Sequence, residues 1–282
     1  MEKLSTRRRI YDRTMRTLLW LAGGITCALL AFMIGYIFFR GIPNLTWPLV
    51  SGQTSYLKNT IGIFPNIVNT LYIILVAMVL ALPLGVGAAV YLTEYAASRR
   101  LVAVIECAAE SLAGIPSIIY GLVGMLVFVQ FMNLQNGILA GGLTLVVMIL
   151  PTIIRTTQES LKTVPQAYRE GALALGSGKW HMIRTVVLPS AVDGIVTGCI
   201  LAVGRIVGES AALLYTAGVG LALSDFVTAL HTSSATLTVA LYIYANERGE
   251  TAAAFAIATI LLALTLLINL SASIAGRRLR RR

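Results

Sequence analysis

YREGALALGSGKWHMIRTVVLP, residues 168–189, is the longest polar interval between hydrophobic segments of membrane-spanning length in this 282-residue chain. Its spacing predicts two short helices with a glycine break. The first runs from about Gln166 to Leu175. It follows Thr163 and Pro165, a hydroxyl and then a Pro at the first turn, which is a helix-start signal. Gly176-Ser177-Gly178 stops it, because Gly tolerates the left-handed geometry of a helix C-cap. The second runs from about Lys179 to Val187 and ends near Pro189, which has no amide hydrogen to donate. Two short polar helices on a chain that is otherwise apolar read either as a plain connecting loop or as a docking hairpin for a soluble partner.

Working outward, composition sets the class. Hydrophobic residues make up 57 % of the chain and charged residues 12 %, and mean hydropathy is +0.82. A soluble domain is about 25 % charged. Several uncharged stretches approach the roughly 20 residues that a helix needs to cross a bilayer. The chain therefore reads as an all-α polytopic membrane protein. The net charge of +10 does not point to nucleic acid, because the excess is clustered at the ends of spans. Cys27, Cys107 and Cys199 are far apart in apolar surroundings and read as small hydrophobes. No cleavable signal is expected: Arg7-Arg8-Arg9 precedes an apolar run too long for a signal core.

Six transmembrane helices are predicted, at about Leu18–Phe39, Ile67–Leu92, Val102–Met132, Gly137–Ile154, Ser190–Thr216 and Ala252–Ser273. Lys3, Arg7, Arg8, Arg9, Arg13, Arg16, Arg99, Arg100, Arg155, Lys162, Arg169, Lys179, Arg184, Arg277, Arg278, Arg280, Arg281 and Arg282 fall on one side of these spans. Only Arg40, Lys58 and Arg248 fall on the other. That asymmetry, eighteen against three, places both termini and the central loop in the cytoplasm. The expected organisation is residues 1–66 as a basic tail, first span and outer loop, 67–274 as the transmembrane domain with a cytoplasmic loop at about 155–189, and 275–282 as a basic tail.

Particular residues stand out inside the spans. Ala81-Leu82-Pro83-Leu84-Gly85-Val86-Gly87 reads as close helix packing or as a hinge. Glu106 and Glu110, one turn apart, invite a proton relay, but their nearness to Arg99-Arg100 favours hydrated or paired interfacial carboxylates. Pro116 predicts a discontinuous helix that lines a cavity. Arg205 and Glu209 lie deep in LAVGRIVGESAALL. At i and i+4 they could share a face and pair. The two readings are a salt bridge that fixes packing and an anion contact in which Glu209 orients Arg205, whose planar fork suits an oxyanion. Asp193 is expected at the interface. The stretch from Ala217 to Glu250 is expected on the outer side, lying on the surface or dipping into it, and His231 within it lacks metal-ligand spacing.

Glu170-Gly171-Ala172, three residues, Gly176, nine residues, Val186, one residue, Leu188-Pro189 resembles the EAA loop of ABC importer permeases. Gly171 stands where that pattern has Ala, and Val186 where it has Ile. Asn69–Ala96, Glu110–Gly124, Leu150–Pro165 and Gly204–Gly218 further resemble the PstA family of phosphate ABC importer permeases. The resemblance implies a type I importer (MetI-like) fold in the cell membrane of a bacterium or archaeon. It implies ATPase coupling through Glu170, Gly171, Ala172, Gly176, Leu188 and Pro189, and a substrate path at Arg205 and Glu209, which match an Arg-x-x-Gly-Glu pattern. The implied partners are a second permease PstC, two copies of the ATPase PstB, and a phosphate-binding protein PstS. No Walker A run is present, so the chain is expected to be no enzyme and to hold no cofactor or metal, with ATP hydrolysed by the partner. An importer for molybdate, sulfate or phosphonate, and a proton-coupled secondary transporter, remain as alternatives. An intramembrane enzyme finds no nucleophile or metal pattern.

Overall fold

The computed structural model describes residues 6–55 and 60–280. Lys3, Lys58, Arg281 and Arg282, which enter the charge asymmetry, lie outside them. Helix α1 (Thr6–Gly41) runs 36 residues. At 1.5 Å per residue that is about 54 Å, well beyond a hydrocarbon core of about 30 Å. The basic residues from Arg7 to Arg16 are thus the first turns of α1 rather than a separate tail. A short turn (Ile42–Asn44) and α2 (Trp47–Ser51) come next. Strands β1 (Gln53–Ser55) and β2 (Thr60–Ile63) then form an antiparallel ribbon, with Gln53 opposite Ile63.

Helix α3 (Phe64–Val90) has Pro65 in its first turn and runs on through Pro83, then ends in a π-turn at Tyr91–Tyr95. Gly85 serves packing there: a Cβ on it would meet Ile153 at 2.6 Å. Helix α4 (Arg99–Ala113) starts on Ser98, whose hydroxyl accepts from the Leu101 N–H at 3.4 Å. Helix α5 (Ser117–Gly124) continues as a π-helical segment to Phe131. Helix α6 (Ile138–Thr163) is the centre of the bundle, buried along its length. The hairpin is built from α7 (Gln166–Ala174), α8 (Lys179–Met182), a π-turn (Ile183–Val187) and α9 (Leu188–Ser190). Helices α10 (Val192–Gly208), α11 (Ala211–Thr216), α12 (Phe226–His231) and α13 (Leu237–Tyr242) lead through a π-turn (Ile243–Glu247) to α14 (Thr251–Arg280).

Among the described residues four helices are long and apolar enough to cross a membrane, and up to six spans result if each of two bent pairs counts as one. The bends correct the expected spans. Val102–Met132 is no single rod: α4 and α5 meet at 100°, because Gly114 ends α4 and Pro116 has no amide to carry the ladder on. Ser190–Thr216 breaks at Glu209, whose backbone is extended (ψ 124°). A further 66° bend falls at Ala191, so the second hairpin helix passes Pro189 and ends at Ser190. Arg155 to Thr163 belongs to α6, not to a loop. Arg277 to Arg280 likewise continue α14.

Glycines set the close approaches. Gly142 of α6 would press a Cβ on Val76 of α3 at 2.7 Å. Gly194 and Gly198 of α10 lie against Ser160 and Thr156 of α6, and Gly276 of α14 against Val196 of α10. Small residues allow such backbone contact, which is how helices associate in lipid. Helix α1 packs at its far end, where Gly41 meets Phe255 and Thr259 and Tyr36 meets the Phe255 ring edge-on at 5.7 Å. Trp20, Phe32, Leu75, Val79, Phe131 and Leu266 lie exposed on the outside. An apolar belt of that extent fits a bilayer and not water.

Candidate functional site

Two places carry the chemistry: the hairpin, and the centre where two helices break. In the hairpin, α7 closes as a Schellman motif. The Ser177 N–H donates to Ala172 O at 3.1 Å and the Gly176 N–H to Leu173 O at 3.0 Å, with Gly176 at φ 82°. The left-handed stop read from Gly176 is present. The start differs: Thr163 closes α6, its hydroxyl donating to Ser160 O, and Pro165 itself caps α7.

One side of the hairpin is sunk into the bundle. Met182, Ile183, Val187 and Ala191 form a buried cluster with Ala89, Val90, Leu161 and Val164, and Ala172 and Leu188 pack on it. The other side is open. Glu170, Gly171, Gly176 and Pro189 are exposed there, beside Tyr168, Leu173, Leu175 at 90 % and Trp180 at 60 % exposure. Apolar side chains thus stand exposed around one carboxylate on a firmly seated mount. A Cβ on Gly171 would meet nothing within 4 Å, so the departure from Ala there is not forced by packing.

Arg169, a plain loop charge by sequence, is the anchor of this mount. Its Nε and Nη2 donate to Glu94 Oε1 at 3.0 and 2.9 Å, its Nη1 to Val164 O at 2.6 Å and its Nη2 to Leu161 O at 2.8 Å. The pair is nearly buried, at 12 % and 7 % side-chain exposure. Lys179 Nζ lies over the Tyr95 ring at 4.8 Å, so both hairpin helices touch the π-turn that ends α3. Seventy-five residues separate Glu94 from Arg169, and no spacing rule links them.

In the centre, Arg205 sits half-buried near the end of α10. The expected pairing with Glu209 does not form. The helix stops at Gly208, and Glu209 Oε1 instead accepts the Ala212 N–H at 3.0 Å, capping α11. Among the described residues Arg205 has no hydrogen-bond or ion-pair partner, and its guanidinium lies within electrostatic reach of the Tyr120 hydroxyl. That hydroxyl donates to Leu112 O across the α4–α5 bend at 2.6 Å. The two broken helices are in direct contact, since a Cβ on Gly121 would meet the Ala212 Cα at 2.7 Å.

Sequence reasoning missed the clasp behind this centre. Asn66 and Asn69 Nδ2 donate to Ala235 O, the Leu237 N–H donates to Thr70 Oγ1, and Thr238 Oγ1 donates to Glu209 O at 2.8 Å. The stretch after Ala217 therefore dips into the bundle, with Leu237, Val239, Ala240 and Tyr244 buried.

Glu106 and Glu110 are paired as the interfacial reading expects, with α6 rather than with Arg99-Arg100. Arg155 bridges Glu110 at 3.2 Å and Glu159 at 3.1 Å, Lys162 reaches Glu106 at 3.4 Å, and Gln158 Nε2 donates to Glu106 at 3.2 Å. These side chains line a cleft of about 420 Å³ between α4 and α6.

The bundle, its bent spans and the mounted hairpin define a multi-pass membrane permease. Residues 81–281 match the family described as binding-protein-dependent transport system inner membrane component, and the chain belongs to that family. It is 37 % identical over 211 residues to a probable ABC transporter permease protein, YqgI, of Bacillus subtilis, covering 75 % of this chain and 72 % of that protein. It is 33 % identical to the phosphate transport system permease protein PstA of Xylella fastidiosa, covering 77 % and 75 %. The figure is 32 % for PstA 1 of Mycobacterium tuberculosis strain CDC 1551 / Oshkosh, covering 85 % and 79 %. A bacterial ABC transporter that imports alginate superposes with a TM-score of 0.65 at 15 % identity, covering 96 % of this chain and 99 % of that one. The methionine transporter MetNI, inward facing, gives 0.59 at 20 %, covering 77 % and 94 %. The last two likenesses concern the fold alone.

Proposed function

We propose that this chain is a permease subunit of an ATP-driven importer of inorganic phosphate. The observation that carries the reading is Arg205: an arginine in an apolar bundle with no anionic partner among the described residues, at the contact of two broken helices. A charge among apolar helices is costly unless it is hydrated or paired, so an unpaired arginine there suits an anion from outside the chain. The phosphate permeases among its relatives supply the choice of anion. Glu209, spent on the α11 cap, shapes the centre rather than balancing the guanidinium.

The partners are a second permease of the PstC kind, two ATPase subunits of the PstB kind and an external binding protein of the PstS kind. ATP closes the ATPase pair, and the exposed face around Glu170 moves with it. Ala172, Gly176, Leu188 and Pro189 keep the hairpin's shape while the movement passes to the spans, and Gly171 belongs to the face turned to the ATPase. The pore then accepts phosphate, and hydrolysis returns it inward. The hairpin, both termini and the Arg155–Glu110 cleft lie on the cytoplasmic side. Supporting this, the chain's C-terminal helix packs through Gly276 beside the hairpin end of α10, which gathers basic residues at one end of the bundle.

Uptake of radiolabelled phosphate into liposomes tests the reading, with this chain, its second permease and the ATPase in the membrane, binding protein outside and ATP inside. Uptake that needs ATP and binding protein, and that sulfate and molybdate do not compete, is the expected result. Another preferred anion would replace phosphate and keep the mechanism. Uptake indifferent to ATP would remove the docking role and favour proton coupling.

A further inference from the structure

We propose that the Glu94–Arg169 ion pair is the joint through which the hairpin's movement enters the membrane, and that it is distinct from the surface that binds the ATPase. The proposal rests on the reading of the chain as an ATP-driven permease.

Position comes first. Arg169 and Glu170 are neighbours on α7, about 100° apart around its axis, and meet different surroundings: Glu170 is exposed on the open side and the Arg169 side chain is turned into the bundle. One residue meets the partner while the next holds the frame. The guanidinium ties three elements at once. It bonds the π-turn of α3 through Glu94, and the last turn of α6 and its C-cap through Leu161 O and Val164 O. Its own backbone belongs to α7.

The kind of contact comes next. The buried cluster of Met182, Ile183 and Val187 beneath the hairpin resists separation, but apolar packing is non-directional and tolerates sliding. Four charge-assisted bonds to a planar fork fix rotation as well as distance. The exposed Arg155–Glu110 pair, at 65 % and 64 % side-chain exposure, has no such grip, because solvent screens it. Lys179 over Tyr95 brings the second hairpin helix to the same turn. A π-turn at that point matches where such irregularities tend to occur, at functional positions in helices.

The onward path is continuous. Helix α3 packs on α6 through Gly85 and Gly142, and α6 packs on α10 through Gly194 and Gly198. Helix α10 ends at Gly208, one turn past Arg205. A tilt imposed on the ends of α3 and α6 therefore reaches the anion centre through close helix-to-helix contacts.

The test uses the reconstituted four-component system and reads two quantities: recovery of the ATPase with the permease, and phosphate moved per ATP hydrolysed. Two variants are compared. Glu94→Gln keeps the shape and removes the charge. The double variant Glu94→Leu with Arg169→Met replaces the pair by apolar contact, an exchange that buried ion pairs often tolerate without loss of stability. Both variants are expected to retain the ATPase, and the double variant to melt no lower than the natural chain. In both, phosphate per ATP should fall by about tenfold, within the range that residues on a coupling path command. A double variant that moves phosphate at the natural ratio would reduce the pair to a structural prop and overturn the proposal. So would a natural ratio in Glu94→Gln, or loss of the ATPase from both variants, which would assign the pair to assembly. Failure of the importer reading is separate, because it would appear in the natural chain as uptake without any dependence on ATP.

Discussion

Arg205 and Glu209 stand four positions apart on LAVGRIVGE, and the carboxylate turns away. Glu209 Oε1 accepts the Ala212 N–H at 3.0 Å, and among the described residues the guanidinium is left with no ion-pair partner. The expected i, i+4 pair assumes a continuous helix. The helix ends between the two residues, so the carboxylate and the guanidinium no longer share a face.

Arg205→Ala is therefore expected to lower ATP-driven phosphate uptake while the complex still assembles. A charge-assisted contact is worth about 1.5–3 kcal/mol, which corresponds to roughly 10- to 150-fold in rate. Uptake rates in liposomes beside co-purification of the partners check both halves. Uptake at the natural rate would remove Arg205 from the path.

Glu209 behaves as a cap. Glu209→Gln keeps an oxygen for the Ala212 N–H and should leave thermal stability close to the natural value. Glu209→Ala should cost about 1 kcal/mol, the usual net worth of such a hydrogen bond. Thermal unfolding of the purified subunit in detergent separates the two. Equal loss in both would assign Glu209 a charge role instead.

Gly171 and Gly176 should part company. Gly171 has open space at its Cβ position, and Gly171→Ala should firm α7 by about 0.5–1 kcal/mol, the helix-interior penalty of Gly. Gly176 has φ 82°, and Gly176→Ala should cost about 1–2 kcal/mol and weaken recovery of the ATPase. Thermal unfolding and co-purification of each variant check the pair. Loss of coupling in Gly171→Ala would mean that the ATPase groove, not the hairpin, requires the glycine.

If the proposed docking role holds, Glu170→Arg is expected to reduce co-purification of the ATPase at least tenfold, since a reversed charge within an interface costs upwards of about 1.4 kcal/mol of complementarity. The fold of the permease should be untouched, because Glu170 is exposed. Unchanged recovery with unchanged coupling would move the docking surface elsewhere.

Glu110→Gln should leave uptake within about twofold, since exposed ion pairs contribute about 0–1 kcal/mol. Transport should also survive collapse of the proton gradient. Abolition by either treatment would restore a relay role to Glu106 and Glu110.

The hairpin was legible because its punctuation is local: Gly176 needs a left-handed backbone and Pro165 opens a helix, whatever surrounds them. The partial enclosure of Arg205 was legible from its apolar flanks. The 100° turn at Pro116 was legible only as a break. Its angle depends on Gly121 meeting Ala212, ninety-one residues later in the sequence. Glu94 and Arg169 meet only in three dimensions, as do Asn66, Thr70 and the Ala235–Thr238 clasp. An acid that looks like the ordinary end of a span holds the hairpin through Arg169.

The π-turn at Tyr91–Tyr95 has a consequence for how the length of this chain can vary. A wide turn at the end of a helix holds one residue more than an α-turn needs. Dropping that residue would leave everything before Tyr91 in place and swing the residues beyond it by about 100°, the angular step of one α-helical residue. Glu94 would then point away from Arg169 while the membrane-crossing part of α3 kept its seat on α6. A one-residue difference in length at this point would therefore uncouple two halves of the molecule without unfolding either.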